Sequence, residues 1–233
     1  MKKLVALLSI LILSSCAELQ SVVDNLPNQT GIDNTTIASG LRQALDFGID
    51  KQVTKLTQKD GFYGNNLVKI LLPEELQKVD QTLRNVGLGS LADEGLKVLN
   101  RAAEDAVSEA TPIFVDAVKG ITFADAKTIL LGADDSATTY LQNKTSTQLY
   151  DKFNPVIKSS FSKVGADQIW SNLITKYNAL PLTNDVNPDL TDYVTQEALK
   201  GVYTMIAVEE KEIRTDFSAR TTTLLKKVFA LQD

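Results

Sequence analysis

Apolar residues recur at every third or fourth position along most of this chain. That is the period of one helix face, not the period of two that marks a half-buried strand. Leu41, Leu45, Ile49, Val53 and Leu56 form the first such stripe, and the glycine-rich stretch Asp60-Gly61-Phe62-Tyr63-Gly64-Asn65-Asn66 interrupts it as a loop. Pro73, followed by Glu74 and Glu75, suits the first turn of a second helix that ends at Gly87. Proline has no N–H to lose there, and carboxylates favour the positive helix end. Leu88, Ala92, Leu96, Leu99, Ala103, Ala106 and Ala110 predict a long third helix, which Pro112 kinks or restarts before Ile113, Phe114 and Ala117. Thr122 is expected to cap a helix at Phe123, and Asp134-Asp135 to cap the next. Thr145 or Ser146 is expected to open another that runs towards Gly165. Trp170, Leu173, Ile174 and Tyr177 predict a short helix, and residues 182–190 a Pro/Asn/Asp loop. Val194, Ala198, Val202, Met205, Ile206 and Ile213 mark a long amphipathic helix, and Leu224, Leu225, Val228 and Phe229 a closing one. The expected fold is all-α: a single multi-helix, bundle-like domain over residues 35–233.

The first residues follow a different logic. Met1-Lys2-Lys3 is basic, Leu4 to Leu13 is a short apolar run, and Ser14-Ser15-Cys16 supplies small residues before a cysteine. This is the layout of a cleavable secretory signal. The run is about half the ~20 residues that a membrane-spanning helix requires. Leu13-Ser14-Ser15-Cys16 resembles the bacterial lipobox, in which the cysteine is acylated and becomes the new N-terminus. The resemblance implies a signal peptide over 1–15 and a lipid anchor on Cys16. Residues 16–34, polar and containing Pro27 and Gly31, then serve as a flexible tether. By resemblance to enterobacterial lipoprotein sorting, the lack of aspartate at Ala17 implies the outer membrane.

Composition narrows the chemistry. Hydrophobic residues make up 43% and charged residues 23%, proportions with which the body folds and does not stay disordered. The formal charge is −5, and removing residues 1–15 takes away Lys2 and Lys3 and makes the remainder more acidic still. Such a body gives no electrostatic reason to bind nucleic acid and disfavours broad adhesion to anionic lipid. Histidine is absent and Cys16 is the only cysteine. Triads built on histidine, intramolecular disulfides and cysteine-rich zinc sites are therefore excluded. No cofactor or metal is expected.

Few constellations remain. Asp46-Phe47-Gly48 spells a kinase magnesium motif but falls inside a helical stripe, without the accompanying loops. Asp134-Asp135 reads as helix capping rather than a calcium site, which needs six or more oxygens. Glu209, Glu210 and Glu212 read as a solvated helix face, with Glu210 and Arg214 four apart as a surface pair. Phe62 and Tyr63, between Gly61 and Gly64, are a candidate interaction loop; one is expected to be buried and the other to contribute to a binding surface.

Several blocks of the body resemble the bacterial domain-of-unknown-function family 4197. They include Asp60-Gly61-Phe62-Tyr63-Gly64-Asn65, Leu83-Arg84-Asn85-Val86-Gly87-Leu88-Gly89-Ser90 and Pro112-Ile113-Phe114-Val115-Asp116-Ala117. Thr122-Phe123-Ala124-Asp125-Ala126, Tyr177-Asn178-Ala179-Leu180-Pro181, Asp192-Tyr193-Val194-Thr195 and Ala219-Arg220-Thr221-Thr222 extend the similarity over about Ile37 to Phe229. The resemblance implies a bacterial protein with a secretion or lipoprotein signal and carries no catalytic or binding residues. The expectation is a non-catalytic envelope lipoprotein, held to the membrane through Cys16, that binds an envelope protein or an apolar ligand. A carboxylate-dependent envelope hydrolase is the alternative.

Overall fold

A computed structural model describes residues 32–85, 89–165, 167, 168, 170, 171, 174, 175 and 189–233. Among these, every regular element is a helix, as the three-and-four spacing predicts. In chain order they are α1 (Asn34–Thr57), α2 (Glu74–Asn85), α3 (Gly89–Val107), α4 (Ala110–Lys119), α5 (Phe123–Leu130), α6 (Ser136–Lys163) and α7 (Thr191–Thr215). A 3₁₀ turn (Phe217–Ala219) and α8 (Thr223–Phe229) follow. None of the described helices is long and apolar enough to cross a membrane.

The predicted stripe of α1 is its buried face: Leu41, Leu45, Ile49, Val53 and Leu56 are all in the core. α7 is the central helix, packed against α1, α3 and α6, while α1 also carries α4, α5 and α8. The core lies within residues 38–229 and draws on every described α-helix. Phe114 of α4 meets Tyr203 of α7 edge-to-face at 5.9 Å. α8 lies directly on α1 because Gly40 has no side chain; a Cβ there would stand 2.5 Å from Val228.

Two boundaries differ from the sequence expectation. α3 stops at Val107 and α4 begins at Ala110, so Pro112 does not kink a continuous helix. It occupies the first turn of α4, where its missing N–H has no intrahelical acceptor. Nor does a helix open at Thr145 or Ser146, because α6 runs unbroken from Ser136 to Lys163. The Thr145 hydroxyl donates back to the Leu141 carbonyl at 2.7 Å and pairs with the Tyr203 hydroxyl at 2.8 Å, so it is satisfied mid-helix and caps nothing. α6 ends before Gly165, whose φ of +66° is the left-handed position that glycine supplies at helix ends. Leu88, Leu173, Tyr177 and most of the 182–190 loop lie outside the described residues, as does Cys16.

The Thr122 cap is present in full. Its hydroxyl accepts from the Asp125 N–H at 3.1 Å, and the Asp125 carboxylate accepts from the Thr122 N–H at 3.0 Å. Thr122→Ala should therefore cost about 1 kcal/mol in a urea titration. Those hydrogen bonds also hold the Asp125 carboxyl below its ordinary value. Its contribution is present above the unfolded-state value of about pH 4 and is lost as pH falls through the lowered one. Loss of equal size at pH 7 and at pH 2 would contradict the reciprocal cap.

Candidate functional site

The loop between α1 and α2 is tied to α3 and α7 by several hydrogen bonds. It leaves α1 through tight turns, with Gly61 N–H donating to the Gln58 carbonyl and Gly64 N–H to the Asp60 carbonyl, both at 2.9 Å. Asp60 sits at a positive φ of 67°. Gly61 is required by close approach: a Cβ would lie 2.4 Å from the Leu56 carbonyl oxygen.

Phe62 points inward and is completely buried. Its ring enters the space above Gly201 of α7, where a Cβ would stand 2.6 Å from Cε1. Its N–H donates to Glu104 Oε1 on α3 at 3.1 Å. Arg101 holds the same carboxylate at 2.5 Å and reaches back to Asp60 at 2.7 Å. The chain Asp60–Arg101–Glu104–Phe62 thus ties the loop to α3 through charge-assisted bonds. Further along, Asn100 grips Ile70 on both sides. It donates to the Ile70 carbonyl and accepts from the Ile70 N–H, each at 2.8 Å, in the way a neighbouring strand would. Tyr193 of α7 donates its hydroxyl to the Leu71 carbonyl at 2.8 Å.

This pinning gives residues 67–72 an in–out alternation. Val68, Ile70 and Leu72 are buried, whereas Leu67 is 65% and Leu71 57% exposed. Tyr63 is half-buried, with the Lys69 ammonium 4.0 Å from its ring centroid and the Lys97 ammonium at 5.8 Å. A groove of about 630 Å³ runs beside the two leucines, between this segment and α7, with Tyr193, Glu197 and Lys200 on its far wall. Asn100, Arg101, Glu104, Lys69 and Lys97 are not singled out by the sequence. Only the short alternation from Leu67 to Leu72 hinted at a two-faced segment, too short to stand out against the helical stripes.

The acidic run is a correction. Glu209 and Glu210 are buried rather than solvated, and only Glu212 faces water. Glu210 accepts from the N–H groups of Ala137 and Thr138 and from the Thr138 hydroxyl, each at 2.8 Å, at the start of α6. Arg214 binds Glu210 at 2.8 Å and donates to the Ile129 and Leu130 carbonyls at the end of α5. The expected surface pair is real in its four-residue spacing but sits in the interior. Asp135, expected as the α6 cap, makes no side-chain cap bond, since Glu210 already occupies those N–H groups. Glu209 is held by Gln52 at 2.7 Å and by Lys51 at 2.7 Å.

Asp46-Phe47-Gly48 lies within α1, with Gly48 packed against Glu209, so the triplet is a piece of helix. Each buried carboxylate among Glu104, Glu209 and Glu210 is thus already engaged by cations or backbone donors. No three His, Cys, Asp or Glu among the described residues are arranged to hold a metal ion. The small pocket lined by α1, α6, α7 and α8 has about 20 Å³, which is room for a single water.

No curated protein and no solved structure matches this chain. A family model described as a protein of unknown function matches residues 31–230, nearly the whole helical body and all of the elements above. The chain therefore belongs to the family of proteins of unknown function DUF4197.

Proposed function

We propose that this protein is a bacterial envelope lipoprotein, anchored through Cys16, whose helical body is a non-catalytic binding module for an envelope protein or an apolar ligand. The observation that carries the binding role is the rigid presentation of Leu67 and Leu71 beside Tyr63. Exposed leucines are ordinary on a mobile loop. Here both are fixed by inward anchors at Phe62, Val68, Ile70 and Leu72 and by the Asn100 and Tyr193 hydrogen bonds. A surface held in one shape before its partner arrives loses less entropy on binding. Support for the anchor is the lipobox-like Leu13-Ser14-Ser15-Cys16.

Replacing Cys16 with serine is expected to abolish palmitate labelling and to leave a soluble or uncleaved protein, since Cys16 is the only cysteine. Retained label on the Cys16→Ser protein rules out the anchor. For the binding face, Leu67→Ser with Leu71→Ser should abolish envelope crosslinks made from a photoreactive group at Tyr63 while melting stays unchanged. Crosslinks that persist in the double variant place the partner elsewhere.

A further inference from the structure

The outward face of residues 63–71 is not only apolar. Lys69 stands between Leu67 and Leu71 in the alternation and lies over the Tyr63 ring at 4.0 Å, with Lys97 approaching the same ring at 5.8 Å. Neither ammonium forms an ion pair with a carboxylate among the described residues. Asp93 is near enough to feel both, but its carboxylate is taken by Arg84 at 2.7 Å. Lys55 and Lys59 border the other flank of the loop and are exposed. Asp60 and Glu104, the acids of the loop's own tie, share the single guanidinium of Arg101. In a chain of net charge −5, Lys55, Lys59, Lys69 and Lys97 thus stand around two exposed leucines and a tyrosine, with Glu74 and Glu197 on the adjoining groove.

We infer that the apolar ligand of this face is an anionic phospholipid at a membrane surface, with Lys69 and Lys97 on the headgroup phosphates and Leu67 and Leu71 entering the acyl boundary. This rests on the binding reading of the same loop. The combination of short apolar side chains, an amphipathic aromatic and lysines that can extend towards headgroups is what an interfacial contact uses. Unpaired lysines beside the leucines are complementary to an anionic partner and gain little from a neutral one.

The test uses residues 34–233, which contain the whole core, so that no lipid anchor contributes. Sedimentation with phosphatidylcholine–phosphatidylglycerol vesicles at about a two-to-one ratio should carry the body down, and pure phosphatidylcholine vesicles should not. Lys69→Gln with Lys97→Gln, and separately Leu67→Ser with Leu71→Ser, should each weaken the binding by about tenfold or more. Leu131→Ser, at a leucine 61% exposed after α5, should leave it unchanged. The melting temperature of each variant, unchanged for these outward residues, separates lost contact from lost folding. Inorganic phosphate at matched ionic strength should not compete. Failure to sediment with anionic vesicles, equal binding to neutral ones, or competition by free phosphate overturns the inference. If vesicle binding fails while the Tyr63 crosslinks to a protein still depend on Leu67 and Leu71, the binding face stands and its partner is a protein. The palmitate experiment is independent of all these outcomes.

Discussion

Replacing Glu210 with alanine is expected to lower the unfolding free energy by about 3–5 kcal/mol, among the largest losses available from one side chain. The carboxylate does two things at once. It satisfies the first N–H groups of α6 at Ala137 and Thr138, which have no intrahelical acceptor, and it neutralises Arg214, whose side chain is only 3% exposed. Removal leaves an uncompensated buried guanidinium and strips the α6 N-terminus of its cap. Arg214 in turn donates to the Ile129 and Leu130 carbonyls, so the ends of two helices are tied to α7 through one ion pair. Glu210→Gln keeps the shape and one acceptor but loses the charge, and its cost should be clearly smaller. The measurement is a urea titration, read as a shift of midpoint at constant slope. A Glu210→Ala protein within about 0.5 kcal/mol of the parent, as an ordinary surface site gives, contradicts the buried tie.

Phe62→Ala should cost a similar amount, about 3–5 kcal/mol, because it deletes a fully buried ring against Gly201 and opens a cavity between the loop and α7. Tyr63→Ala, one position on, should cost far less. Its ring is only half-buried, and what it loses is contact with the ammoniums of Lys69 and Lys97 on the protein surface. The two neighbours thus separate stability from binding: Phe62→Ala shifts the thermal midpoint, and Tyr63→Ala shifts vesicle binding. Equal and large losses of stability from both substitutions would mean that the loop is core alone.

The helices themselves were readable from residue spacing. The α1 and α7 stripes are the buried faces, Thr122 is the cap, and Pro73 precedes the second helix, because each depends on residues within one or two turns. Helix boundaries that depend on a distant partner were not readable. Thr145 looks like a helix start by its chemistry, yet Tyr203, 58 positions away, satisfies its hydroxyl in mid-helix. Asp135 stands at the start of α6, yet Glu210, more than seventy positions later, performs the capping.

The same division holds for the candidate site. The sequence by itself determined that Phe62 and Tyr63 lie in a glycine-bounded loop, that histidine triads and intramolecular disulfides are excluded, and that Cys16 is the only cysteine. Tertiary structure alone decided which of two adjacent aromatics enters the core, because Gly201 leaves room for one ring above α7 and Glu104 holds the Phe62 backbone beneath it. It also decided that Glu209 and Glu210 are interior. α7 has neighbours on several sides, so charged positions that a two-faced surface helix would give to water are matched here by Gln52, Lys51 and Arg214. Local propensity and period act over a few residues, whereas burial of a charge is settled by which partner the fold brings to it.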